Sequence, residues 1–232
     1  MHLILFDIDG TLLDAGGAGR LAIARTLTTF AGRSDALEGF SFAGRLDWAI
    51  WRALLATEGY GEAEVDAQLA EIYRHYVAEL AYVLADPGGP LVRPMPGVPA
   101  LLARFAERDD VLLGLVTGNV EAGAWLKLAR AGLQPFFRFG AFGDEAITRE
   151  ELPALALARA RAMLNGTPLD PSRVTLIGDT PSDIVAARPL GARAVGVATG
   201  PFPEAALYEV GADVVFPDFR ATEAVLSTLV AE

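Results

Sequence analysis

The sequence contains no cysteine, a single lysine, two histidines and no long unbroken run of apolar residues. Without cysteine there are no disulfides, thiolate nucleophiles, zinc–cysteine sites or iron–sulfur clusters. His2 and His75 are too few for a multi-histidine metal site. No stretch approaches the roughly 20 apolar residues that a membrane-spanning helix needs. The run Leu3-Ile4-Leu5-Phe6 is too short for a signal peptide and meets Asp7 at once. A soluble, cytoplasmic protein is therefore expected. Basic residues are also in deficit, 19 Lys and Arg against 30 Asp and Glu, for a formal net charge of −11. So negative a surface repels phosphate backbones and anionic lipid, so neither nucleic acid nor a membrane is an expected partner. An anionic substrate would need a local positive device, such as a metal ion, set against that field. What is there is apolar: 52% of 232 residues, with 21% charged. That is enough for one large domain, or a core domain carrying an inserted module.

Short, nearly continuous apolar runs read as strands buried on both faces, the kind that build parallel sheets. Segments 2–8, 111–116 and 173–178 have this form, and 193–198 and 212–216 are weaker copies. Helical segments at about 98–108, 120–131, 150–164, 181–190 and 221–230 alternate with them. The alternation predicts a doubly wound, mostly parallel, Rossmann-like α/β sheet. Residues 16–92 break the rhythm. Val65, Leu69, Ile72, Tyr76, Leu80 and Val83 recur at helical spacing, as do Leu21, Ala24, Leu27 and Ala31, and Trp48, Trp51 and Leu55. Proline- and glycine-rich stretches at 86–90 and 93–97 read as a return linker. The expected organisation is a catalytic core of residues 1–15 and 93–232 with an all-helical insertion at 16–92.

Ligands bind beyond the carboxyl ends of the strands in an open α/β sheet. The three best strands end in Asp7-Ile8-Asp9-Gly10-Thr11, Thr117-Gly118-Asn119 and Asp179-Thr180-Pro181-Ser182-Asp183. All three bring oxygen ligands or donors to one edge, where four carboxylates would repel one another. A divalent cation resolves that conflict, and an all-oxygen donor set points to magnesium. Asp7 and Asp9, two apart at a strand end, can face one cavity. One could attack phosphorus while the other manages the proton of the leaving oxygen. Thr117 offers a hydroxyl, Gly118 allows close approach of backbone N–H groups, and the helix opening at Asn119 adds a positive dipole end for a phosphoryl oxygen.

These motifs resemble those of the haloacid dehalogenase-like superfamily of phosphohydrolases, over most of the chain. Asp7-Ile-Asp-Gly-Thr-Leu-Leu13 is similar to its first motif, Thr117-Gly-Asn119 to its second and Gly178-Asp-Thr-Pro-Ser-Asp183 to its fourth. The helical insertion resembles the cap of phosphoglycolate phosphatase-like members. The resemblance implies a phosphatase acting on a small phosphorylated metabolite, with Asp7 as nucleophile and Asp9 as general acid and then base. It implies Mg2+ held by the Asp7 carboxylate, the Asp9 carbonyl and Asp179, with Asp183 supporting the metal's waters. The third motif is usually a lysine, and here the chain departs from the pattern. Its only lysine, Lys127, falls mid-helix about 12 Å along the axis from the site and reads as a solvated position. Arg149, just before a helix, is expected to bind phosphate in its place, with Lys127 as the alternative. Arg45 and Asp47 in Gly44-Arg-Leu-Asp47 resemble a cap loop usually written G-R-T-D, which implies substrate contact, though Leu46 replaces the threonine.

Structural readings stand beside these. Thr180-Pro181-Ser182-Asp183 fits a capping box, Thr117 could cap the following helix, and Gly44–Asp47 could be a surface turn. Gly17-Ala-Gly19-Arg-Leu-Ala22 imitates a dinucleotide fingerprint but lies ten residues past its strand, so it reads as a hinge. Trp48, Trp51 and Trp125 read as packing, and His75 as lying on the exposed side of its helix. Two other functions fit the same residues: a sugar phosphomutase, and a catalytically silent phospho-ligand binding module motivated by the missing third-motif lysine.

Overall fold

β1 (His2–Phe6) is buried along its whole length, because Leu3 and Leu5 point to one face of the sheet while Ile4 and Phe6 point to the other. A strand apolar on both faces must lie in the middle of a sheet covered on both sides. The computed structural model, which describes residues 1–164 and 169–230, places it there. After β1 come β2 (Leu13–Asp14), α1 (Ala18–Ala31), α2 (Asp47–Thr57), α3 (Glu62–Ala85), β3 (Arg93–Pro94), α4 (Val98–Ala106), β4 (Val111–Val116) and α5 (Glu121–Arg130). The chain continues through β5 (Gly140–Ala141), α6 (Leu152–Met163), β6 (Val174–Gly178), α7 (Pro181–Ala186), β7 (Arg193–Val197), α8 (Glu204–Glu209), β8 (Val214–Phe216) and α9 (Thr222–Leu229). The main sheet runs β5-β4-β1-β6-β7-β8, and every pairing in it is parallel.

Two apolar clusters divide along the faces of β1. Ile4 and Phe6 pack with α4, α5 and α9, while Leu3 and Leu5 pack with α6, α7 and α8. The sheet is therefore doubly wound. Phe6 sits edge-on to Phe105, Phe137 and Phe219 at 6.2–6.5 Å, which packs α4 and the segments before β5 and α9 on the sheet.

β2 and β3 pair antiparallel on either side of the helical stretch, with Leu13 opposite Pro94. These two-residue strands, like β5 and α8, carry too little periodicity to be read from sequence. α1, α2 and α3 lie between them, and their buried faces (Leu27, Leu54, Leu80) join the same cluster as Phe6. Trp51 is buried as a packing residue. His75 is half-buried, edge-on to Phe30 at 5.3 Å, rather than on the exposed side of α3. Among the described residues no helix is long and apolar enough to cross a membrane.

Candidate active site

Register decides what meets at the sheet edge. Phe6 lies opposite Leu115 of β4 and Ile177 of β6, so the three strands finish nearly level. The next residues, Asp7, Thr117 and Asp179, are all buried beside one cavity of about 460 Å3. Gly10 turns the chain after β1 with φ +84°, and a side chain there would strike the Asp179 carboxylate at 2.3 Å. The turn brings Thr11 back, and its hydroxyl donates to Asp179 Oδ1 at 3.0 Å.

One oxygen from each of Asp7, Asp179 and Asp183 can be chosen so that all lie within 4.8 Å of one another. Burial, then the charges of neighbouring carboxylates, raise the pKa values of Asp7 and Asp179 well above the usual carboxylate range. Arg149 opposes this on one side only. Its Nη2 donates to Asp7 Oδ1 at 2.9 Å and to Asp183 Oδ1 at 2.5 Å, and its Nε to Asp183 Oδ1 at 3.1 Å. Asp179 has no cation partner among the described residues. Hard, crowded, buried oxygen donors short of positive charge fit a divalent cation. Asp183 also closes the capping box of α7: its Oδ2 accepts from the Thr180 N–H and hydroxyl. Asp183 thus caps the helix with one oxygen and turns the other to Arg149.

Asp9 points to the other wall of the cavity. Its Oδ2 accepts from Asn119 Nδ2 at 2.8 Å and from Lys127 Nζ at 2.7 Å, and Lys127 also donates to Asn119 Oδ1 at 2.6 Å. Lys127 is therefore not a solvated position: it is 5% exposed and reaches into the site. The axial rise of α5 misleads here because helical side chains lean toward the N-terminus and a lysine stem adds several ångströms. Asn119 ties the cluster together through a further bond to Thr117 Oγ1 at 2.8 Å. Thr117 does not cap α5. Instead the Val120 and Glu121 N–H groups donate to Asp47 Oδ2 at 2.8 Å and to Asp144 Oδ1 at 3.1 Å.

The helical stretch closes over this edge. The Asp47 N–H donates to the Gly118 carbonyl at 2.8 Å, and a side chain on Gly118 would strike the Arg45 carbonyl at 2.1 Å. Asp47 is thus buried against the core loop, its pKa raised to about 6 chiefly by desolvation. Arg45 stays exposed, its guanidinium 5.2 Å from the Phe40 ring centre. Gly44–Asp47 is therefore a docked loop rather than a free surface turn. Thr180 and Tyr76 join the expected residues around the cavity, and Thr11 lies behind Asp179. The sequence marked Thr180 as a helix cap and Tyr76 as one of an apolar helical stripe, not as cavity residues.

A family model described as haloacid dehalogenase-like hydrolase matches residues 4–188 of this chain. The chain belongs to that family. A phosphoglycolate phosphatase of Agrobacterium fabrum is 29% identical to this hydrolase over 239 aligned positions, covering 99% of this chain and 94% of the relative. Among solved structures, a Haemophilus somnus protein assigned as a phosphoglycolate phosphatase superposes on the hydrolase with TM-score 0.72 at 20% identity, covering 97% and 98% of the two chains. A Thermotoga maritima protein assigned as a β-phosphoglucomutase superposes with TM-score 0.62 at 21% identity, covering 99% and 100%. These two likenesses establish the fold.

Proposed function

We propose that the hydrolase is a Mg2+-dependent phosphatase that cleaves a small soluble phosphomonoester through a phosphoryl group carried on Asp7. The supporting observation is that Asp7 and Asp9 border one cavity but are held by different cations, Arg149 and Lys127. Two carboxylates in one cavity with separate partners can play separate parts. In the first step Asp7 attacks phosphorus, the phosphorus–oxygen bond of the ester breaks, and Asp9 gives its proton to the leaving oxygen. In the second step Asp9 takes a proton from water as that water attacks phosphorus, which frees inorganic phosphate and the Asp7 carboxylate. Asp9 Oδ2 accepts both bonds, from Asn119 and Lys127, and Oδ1 has no hydrogen-bond partner among the described residues.

Asp7, Asp179 and the Asp9 carbonyl would hold Mg2+, with Asp183 behind them. The ion would neutralise charge on the transferred phosphoryl oxygens. Arg149 and Thr117 would bind the same oxygens from the protein side. Residues 16–92 would act as a cap that excludes bulk water. The curated relatives support the reading, since they are phosphatases of a small phosphorylated acid. The silent-module alternative rested on a missing cation, whereas two cations reach the carboxylates.

The test is Mg2+-dependent phosphate release over a panel of small phosphorylated metabolites. Asp7→Asn should reduce turnover about 10⁴-fold or more while the protein stays folded. Wild-type release by that variant would end the mechanism. Transfer to a sugar-phosphate acceptor outpacing phosphate release would favour a mutase.

A further inference from the structure

Tyr76 lies on the face of α3 that turns toward the cavity, 2% exposed, with its ring edge-on to the buried Trp51 at 5.9 Å. Its position in an apolar helical stripe marks it as core, yet its hydroxyl opens on the cavity shared with Asp9 and Lys127. Among the described residues nothing bonds that hydroxyl. Because that O–H faces the cavity and has no acceptor on the protein, a bound ligand can supply one. Burial and the charges of Asp47 and Asp9 push the Tyr76 pKa far above the usual phenol range, so the group keeps its proton and acts as a donor.

Gly19, in the first turn of α1, faces the same space. A methyl group there would stand 3.6 Å from Tyr76 Oη and 3.6 Å from Lys127 Nζ, ordinary contacts with no clash. Alanine is the better helix former, so glycine here leaves a void at some cost in helix stability. Lys127 has three ammonium protons, of which two go to Asp9 and Asn119. One N–H and one O–H donor therefore border a void the width of a small substituent. Arg20 and Arg45 line the same cavity, stacked over Phe42 and Phe40, and neither is paired with a carboxylate among the described residues. These two guanidinium charges are therefore free to meet an anion, although five carboxylates also line the cavity.

We propose that Tyr76 is a specificity-determining residue: its hydroxyl donates to a carboxylate oxygen on the leaving group, which occupies the void that Gly19 leaves open. The proposal rests on the phosphatase reading above and adds to it the residues that choose the alcohol.

The experiment compares kcat/KM for 2-phosphoglycolate and ethyl phosphate, which differ only in a carboxylate against a methyl group. Wild type should prefer 2-phosphoglycolate. Tyr76→Phe should reduce that preference about 10- to 100-fold, mostly through KM. Gly19→Ala should reduce it too while holding or raising the melting temperature, which separates a filled void from a damaged fold. A folded Tyr76→Phe with wild-type preference overturns the proposal, as does a wild type indifferent to the carboxylate. If neither ester is hydrolysed, the panel of phosphorylated metabolites decides the phosphatase reading, and calorimetric titration with 2-phosphoglycolate decides the subsite alone. Weaker binding by Tyr76→Phe than by wild type supports it, and equal affinity or no binding by wild type overturns it.

Discussion

The two walls of the cavity are built on opposite plans. On the sheet edge almost every polar group is bonded to another: Arg149 to Asp7 and Asp183, Thr11 to Asp179, Thr180 to Asp183, Asn119 to Thr117 and Asp9. On the helical wall, among the described residues, the Tyr76 hydroxyl has no hydrogen-bond partner, and Arg20 and Arg45 meet only aromatic faces and backbone carbonyls. A saturated network holds geometry and suits groups that must be in place before the reaction begins. A wall with unmet donors suits groups whose partner arrives with the substrate. On the proposed mechanism, the contrast assigns the chemistry to the sheet and the choice of alcohol to the helices.

The hardest test of the sheet side is Asp9. Its side chain is 42% exposed, so Asp9→Asn should cost little stability. Turnover should nonetheless fall by roughly 10²–10⁴-fold through loss of general catalysis in both steps. A variant with near-normal kcat would show that the proton is handled elsewhere and break the division of labour between the two acids.

The two cations sharpen the same comparison. Arg149→Ala leaves Asp7 and Asp183 buried without their counter-charge, so it should cost about 3–5 kcal/mol of stability along with most activity. Lys127→Ala leaves a half-exposed Asp9 still bonded to Asn119, so the loss should be nearer to roughly 1–2 kcal/mol. Urea melts of both variants, with phosphate release measured alongside, give the ordering. If Arg149→Ala retains near-normal turnover while Lys127→Ala abolishes it, the phosphate-binding cation is Lys127 and the assignment made from sequence is reversed.

What could be read from sequence divides along the same line. Asp7, Thr117 and Asp179 were legible because a strand buried on both faces announces where it ends, and parallel strands end at one edge. Asp183 was legible twice over, as motif and as helix start; the structure shows the helix start and sets its carboxylate beside Asp7 and Asp179. Lys127 was misread because counting residues along a helix measures axial rise, whereas a long flexible side chain is placed by what attracts it, here Asp9 and Asn119. Tyr76 was hidden inside an apolar stripe, since periodicity reports the buried face of a helix but not that one member ends in a hydroxyl beside a cavity. Asp47 was noticed through its loop motif, but its partner was not. The Val120 N–H it accepts from lies 73 positions away and meets it only when the helices dock on the sheet.

Asp47 is where the two walls touch, and it gives the smallest effect that still discriminates. Desolvation raises its pKa from the ordinary 3.8 to about 6 in the folded chain. A carboxyl whose folded pKa lies above its unfolded value binds protons more tightly when folded. Between pH 4 and 6 the folded state therefore holds more protons than the unfolded one, and stability falls as pH rises through that window. Asp47→Asn keeps an oxygen that can accept from Val120 but cannot ionise. Its stability should be less pH-dependent over the same range, overtaking wild type above pH 6 by up to roughly 1–3 kcal/mol. Thermal melts of the two proteins at half-unit steps from pH 4 to 7 would show the curves diverging. Parallel curves would mean that Asp47 is already charged at pH 4, with water or a cation reaching the seam, and that the helical wall is not closed down on the Gly118–Val120 loop in solution.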